Sequence, residues 1–211
     1  MANISNTNKT KRLREKIDPI RIDFRRLSAS CPRGPFSCGY VHIDDFFNNK
    51  ALEEHDSLFA RTVTAHLDGA DSPVGFYSMA IGSEPADQFT EQQSLIDRIK
   101  YQFFRSQQLT TVQLIWVAVA SSSHRMGIGT LLMGHALDDF YQIVDRTGVA
   151  ALTLQPISTN ARMFYDSIGF KPYASGKRML LSAEAVIATR ALLKASPPLE
   201  QSLVAIEKGT T

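Results

Sequence analysis

Residues 116–129 read Trp116-Val117-Ala118-Val119-Ala120-Ser121-Ser122-Ser123-His124-Arg125-Met126-Gly127-Ile128-Gly129. The run starts inside a longer apolar, β-rich stretch, VQLIWVAVA at 112–120. That stretch is too short for a lone helix and predicts a central strand buried on both faces. A short polar loop follows, then a helix on which Ile128, Leu131, Leu132, Ala136, Phe140 and Ile143 share one face. A strand, a loop and a helix opening with two glycines make a site for a pyrophosphate, because the first N–H groups of a helix are unpaired and its dipole favours an anion. Gly127 and Gly129 let phosphate approach the backbone closely, and Thr130 adds a hydroxyl. A Walker A loop is excluded because no Gly-Lys-Ser/Thr ending is present. A dinucleotide fingerprint is excluded because Leu132 stands where its third glycine belongs. The remaining alternative at this point is a glycine turn that only starts a helix.

Upstream, Ile20, Ile22 and Phe24 alternate with Arg21, Asp23 and Arg25, as in a half-buried strand. Ile43, Phe46, Phe47 and Ala51 recur at helical spacing. Val63, Ala65 and Leu67 alternate with Thr62, Thr64 and His66, and the turn DGADSP leads into VGFYSMAI, so residues 61–81 predict a β-hairpin with His66 in solvent. Leu95, Ile96, Ile99, Phe103 and Phe104 predict a helix within 89–107, inserted over the sheet. Downstream, Gly148 is expected to end the helix that starts after Gly127, and VAALTLQ to form another strand. A short helix, STNARMFYDSI, and two short strands, FKPY and RMLL, follow, with a last helix over 183–195 that stops before Pro197. The order β-α-ββ-α-β-α-β-α-ββ specifies an α/β protein with a mixed sheet.

The 211 residues suit one domain, and the formal charge of +2 gives only a weak bias towards an anionic partner. Residues 1–17 hold Lys9, Lys11, Arg12, Arg14 and Lys16 without apolar periodicity and read as a mobile basic arm. Cys31 and Cys38, with no metal-ligand spacing, read as reduced thiols. No apolar run approaches the ~20 residues that span a bilayer, and the polar N-terminus has no signal-peptide core. A cytoplasmic protein that does not enter the membrane is expected.

His124-Arg125-Met126-Gly127-Ile128-Gly129 resembles the acetyl-CoA loop of the GNAT acetyltransferase superfamily, Gln/Arg-x-x-Gly-x-Gly/Ala, with His124 at the Gln/Arg position. Ala161-Arg162-Met163-Phe164-Tyr165-Asp166-Ser167-Ile168-Gly169-Phe170 resembles the second signature of that family, with Ser158 where an asparagine is usual and Asn160 nearby. The resemblance implies a single GNAT-type domain over 18–182, with a central mixed, mostly antiparallel sheet flanked by helices and a C-terminal helix and tail at 183–211. It implies acetyl-CoA as cofactor, held by Val117, Ala118, Val119, His124, Arg125, Met126, Gly127, Ile128, Gly129, Thr130, Asn160 and Phe164, with the coenzyme arm against the exposed backbone of 116–119. It implies Tyr165 as general acid to the departing thiolate, a role for which a phenol of pKa ~10 is suited. Trp116 itself reads as core.

Phe36-Ser37-Cys38-Gly39-x-x-x-Ile43-Asp44-x-x-Phe47, followed by Gly75-Phe76-Tyr77-Ser78-Met79, resembles the N-terminal half of GNAT toxins from type II toxin–antitoxin pairs. This narrower resemblance covers about 34–182. It implies transfer of acetyl to the α-amino group of aminoacyl-tRNA, an antitoxin partner and a homodimer; Arg21, Arg25, Arg26, Arg61 and the lysines of the basic arm then read either as phosphate contacts or as ordinary solvated charges. Two other readings stay open: an N-acetyltransferase for a small-molecule or protein amine, and a non-catalytic acyl-CoA-binding module.

Overall fold

The computed structural model describes residues 22–34, 36–89 and 108–188. The basic arm, the helix expected within 89–107 and the end of the C-terminal helix lie outside the described residues.

The alternation at the start becomes β1 (Ile22–Arg26), with Ile22 and Phe24 half-buried between exposed neighbours. It is the edge of a seven-stranded sheet in the order β1-β2-β3-β4-β5-β7-β6, where β2 is Arg61–Leu67, β3 Pro73–Pro85, β4 Gln108–Val119, β5 Ala151–Leu154, β6 Lys171–Tyr173 and β7 Arg178–Ser182. Every pairing is antiparallel except β4 with β5. The sheet is mixed and mostly antiparallel, as expected. The strands β3 and β4 extend beyond the predicted 81 and 112, pairing as far as Pro85↔Gln108.

Two layers cover the sheet. On one face lies α3 (Ile128–Arg146), which buries Ile128, Leu132, Met133, Ala136 and Phe140. Tyr77 ties β3 to this helix: fully buried, it donates to Asp139 Oδ2 at 2.6 Å and accepts from His135 Nδ1 at 2.7 Å. The helix ends at Arg146, with Thr147 as its extended C-cap and Gly148 directly beyond it. On the same face packs α4 (Thr159–Ile168), capped by Ser158, whose hydroxyl accepts from the Ala161 N–H, and ended by Gly169 at φ 106.

The opposite face is covered by residues 27–56. Here α1 (Val41–Asp45), a π-helical turn (Phe46–Lys50) and α2 (Ala51–Asp56) form one winding element. Its buried residues Ile43, Phe46, Phe47 and Ala51 are those that the spacing predicted. The rings of Phe47 and Phe76 stack at 4.2 Å, and Phe46 stacks on Trp116 at 5.2 Å, so Trp116 packs as core. Asp44 clamps the preceding loop, accepting from the Cys38 N–H at 2.7 Å and the Ser37 hydroxyl at 2.9 Å. Burial opposes its ionisation, but these bonds prevail and hold the carboxyl below the usual carboxylate range. Both cysteines are free thiols. Burial, reinforced by Asp44, pushes the Cys38 thiol up to about 11.

This second layer corrects the expectation for His66. The Thr62-Thr64-His66 face of the hairpin lies under residues 27–56 and not in water, and His66 is 1% exposed. Its Nε2 hydrogen bonds with Thr64 Oγ1 at 2.9 Å, and Thr64 Oγ1 donates to the Arg25 carbonyl. Burial lowers the pKa of this ring.

The glycine of the Gly75-Phe76-Tyr77 stretch has a packing role. A Cβ at Gly75 would lie 2.8 Å from both the Ala118 carbonyl oxygen and Leu132 Cδ1. Backbone cannot retreat within a paired strand, so Gly75→Ala is expected to lower stability by roughly 1–3 kcal/mol, read as an earlier urea midpoint with unchanged slope.

Candidate active site

The site is created by a defect in the sheet. Ser78 pairs with Trp116 but Met79 pairs with Leu114, leaving Ile115 as an extra residue in β4. Such a bulge bends its strand and increases the local twist. On its other side β4 pairs with β5 only at Thr111↔Ala151, Val112↔Leu152 and Gln113↔Thr153. Beyond Gln113 the two parallel strands part, and the β5-facing edge of residues 114–119 is left without a strand partner. The resulting cleft, about 430 Å³, is lined by Gln113 to Val117, Thr153 to Ile157, Ile43, Tyr165 and Arg178.

At the far end of β4 the chain turns through Ser121–Ser123 into the glycine loop. Arg125 (φ 63) and Gly127 (φ 79) both lie in the left-handed region, so the backbone reverses around Met126. Gly127 is the N-cap of α3 and offers no side chain, and the first turn holds no acidic residue. Thr130 and Leu131 donate to the Gly127 carbonyl. The N–H groups of Ile128 and Gly129 therefore open towards the loop, a concave donor set suited to an anion. Gly129 sits against the strand end: a Cβ there would be 3.8 Å from Val119 Cγ2.

The residues singled out from sequence divide by location. His124 is exposed and donates Nε2–H to the Val119 carbonyl at 2.9 Å, closing the loop onto the strand. Arg125, Met126 and Thr130 are exposed around the loop. Ile128 is 1% exposed, so only its backbone reaches the loop. Ala118 turns into the aromatic layer with Phe76, while Val117 and Val119 pack on the α3 side. Asn160 is exposed in the first turn of α4, whose cap is Ser158. Phe164 and Tyr165 are half-buried neighbours with ring centroids 5.4 Å apart, and Tyr165 also meets Phe170 edge-on at 5.7 Å. Enclosure pushes the Tyr165 phenol up to about 12, keeping it protonated. Loop and tyrosine thus stand at two ends of one open strand edge.

Sequence reasoning missed Ile115, the bulge that parts the strands, and the polar group at the root of the cleft. There Arg178 pairs with buried Glu84, and Gln113 Nε2 reaches the same carboxylate at 3.4 Å. No local pattern marks these residues, because β3, β4 and β7 bring them together from distant positions. No group of three or more potential metal ligands exists among the described residues, and none of their helices is long and apolar enough to cross a membrane.

Comparison with known proteins agrees with this geometry. The tRNA-acetylating toxin of Mycobacterium tuberculosis (strain ATCC 25618 / H37Rv) is 26% identical over 147 residues, covering 70% of this chain and 82% of the toxin. Among solved structures, a mutant of KacT superposes with a TM-score of 0.71 at 14% identity, covering 80% of this chain and 99% of that one. AtaT complexed with acetyl-methionyl-tRNAfMet superposes with a TM-score of 0.70 at 16% identity and the same coverages. The sequence profile described as the Acetyltransferase (GNAT) family matches residues 22–170, most of the chain and the whole of the cleft except Arg178. This chain belongs to the GNAT family of acetyltransferases, enzymes that draw their acetyl group from acetyl-CoA.

Proposed function

We propose that the protein transfers acetyl from acetyl-CoA to the α-amino group of aminoacyl-tRNA, acting in the cytoplasm as the toxin of a toxin–antitoxin pair. The observation that carries the transfer chemistry is the open edge of β4, running from the uncapped start of α3 to the hydroxyl-bearing ring of Tyr165. The acceptor and the toxin role draw support from the similarity to a tRNA-acetylating toxin. Further support comes from the shared fold with AtaT, solved with acetyl-methionyl-tRNAfMet and bound to the C-terminus of the antitoxin AtaR.

The loop residues His124, Arg125, Met126, Gly127, Ile128, Gly129 and Thr130 hold the pyrophosphate, chiefly through backbone N–H groups. Val117, Ala118 and Val119 offer strand-edge donors and acceptors to the pantetheine arm, as they would to a neighbouring strand. Phe164, packed against Tyr165, supplies an apolar contact, and Asn160, in the first turn of α4, a polar one. The neutral acceptor amine attacks the thioester carbonyl carbon. A C–N bond forms, the C–S bond breaks, and its electron pair leaves on sulfur. Tyr165 gives its proton to that sulfur and regains one from water, while the new amide nitrogen releases its surplus proton to solvent. An α-amino group of pKa ~8 is neutral often enough near pH 7 to need no strong base.

In a bacterial host the wild-type chain is expected to arrest growth and to yield N-acetylated aminoacyl-tRNA, and Tyr165→Phe to do neither. Growth without arrest and charged tRNA left unacetylated by the purified enzyme would sink the toxin reading. In vitro, Tyr165→Phe should lower kcat by roughly 10²-fold while the KM for acetyl-CoA stays close to wild type, a split that marks loss of a transition-state contact.

The pH profile follows from the two protons. The nucleophile must be deprotonated, so kcat/KM should climb with pH and level off above the acceptor's pKa of ~8. The acid must be protonated, and with Tyr165 raised to about 12 no alkaline loss is expected before that region. An alkaline fall centred near the ordinary phenol value of ~10 would contradict the enclosure of Tyr165.

A further inference from the structure

Arg178 is the one charged side chain lining the β4–β5 cleft among the described residues, and the chemistry above makes no use of it. It opens β7, one position beyond the last pairing of that strand with β5, Leu154↔Met179, where the cleft begins. It is held from below. Glu84, near the end of β3 and 5% exposed, accepts from Nη1 of Arg178, and the guanidinium lies 5.6 Å from the centre of the Tyr173 ring. A partly buried ion pair of this kind is no more stabilising than well-packed apolar side chains, so stability alone does not account for it. Its geometrical effect is to anchor the guanidinium at one end. Of the three guanidinium nitrogens of Arg178, Nη1 alone hydrogen bonds to a described residue, and the side chain is 26% exposed, so N–H donors remain at the wall that Tyr165 shares.

Free guanidinium N–H groups bind oxygen. The rest of the lining carries no charge: Ile43, Trp116 and Ile157 are apolar, Gln113, Thr153, Gln155 and Tyr165 are neutral polar groups, and Glu84 already neutralises the cation. A full anion entering here would lose its water without gaining an unopposed charge, whereas a carbonyl dipole is matched. On an acceptor whose amine meets the thioester, the carbonyl one carbon away from the nitrogen is a fixed, nearby oxygen. We propose that Arg178, positioned by Glu84, selects acceptors that carry a carbonyl on the carbon next to the amine, that is α-aminoacyl esters and amides, over plain amines. The assignment rests on the acetyl-transfer reading of the same cleft and deepens it to the acceptor class.

Trp116 is the sole tryptophan and lines the cleft, so its fluorescence reports occupancy without turnover. Two probes differing only in the carboxamide, N-acetylmethioninamide and N-acetyl-3-(methylthio)propylamine, are titrated, and kcat/KM is measured for the two parent amines and expressed per concentration of neutral amine, which removes the difference between their amine pKa values. The wild type is expected to favour the carboxamide by roughly tenfold or more in both measurements, the worth of one hydrogen bond to a charged group. In Arg178→Gln/Glu84→Gln, which removes both charges and leaves no orphan, both ratios should fall towards one. Should that variant fail to fold, Arg178→Lys, which keeps the charge but loses the fork, must still lower the ratios. A wild type without the preference, or a preference that survives substitution, overturns the proposal. Methioninamide acetylated with the preference intact, beside charged tRNA left untouched, would set aside the tRNA reading and leave the role of Arg178 standing.

Discussion

Everything at this site depends on backbone hydrogen bonds that the fold declines to make. Parallel strands β4 and β5 pair over three residues and then separate, although β4 continues for six more. An interior strand edge without partners is costly unless water or a ligand satisfies it. The separation is enforced by the extra residue Ile115, whose bulge bends β4, and by the short β5, which ends at Leu154. What results is a sheet with a strand-shaped vacancy, ready to pair with an extended amide-bearing chain such as a pantetheine arm. The glycine loop extends the same logic, since the uncapped start of α3 leaves N–H groups free for an anion next to the free strand edge.

An open edge would collapse in a small sheet, and here two layers prevent it. The α3 layer is fastened to β3 by the buried Tyr77–His135–Asp139 hydrogen bonds, with Phe24 stacked on His135 at 4.2 Å. The opposite layer is an aromatic stack running from Phe36 and Phe47 through Phe76, with Phe46 on Trp116. Trp116 stands directly after the bulged residue, so the stack braces β4 where it bends. The Asp44 clamp on Ser37 and Cys38 keeps this layer seated. Structural and functional demands therefore converge on residues 114–119, which must be packed on both faces and open along one edge.

Much of this was legible locally. The period-two runs of β1 and β2, the apolar run of β4 and the helical spacing of Ile43, Phe46, Phe47 and Ala51 all report faces that the sheet buries. The burial of His66 is not legible locally, because alternation tells which residues share a face and not whether a second layer covers it. The predicted limits of β3 and β4 are too short because Ser83, Glu84, Thr110 and Thr111 are polar, yet their backbone pairs across the sheet, where Ser83 donates to Gln108 at 3.0 Å and Glu84 accepts from Arg178.

The sequence by itself determined the presence of the loop, because left-handed backbone at position 127 calls for glycine, and the helix face that follows is written in a 3.6-residue period. It also determined the tyrosine-bearing helix, through the serine cap before it and the glycine after it. Only the tertiary structure decided that Tyr165, Trp116 and Arg178 share one cleft, that Glu84 anchors Arg178, and that Ile115 opens the space between them. Periodicity and caps are local interactions recorded within a few residues. A bulge and a cross-sheet ion pair depend on register, which is settled only when distant strands meet.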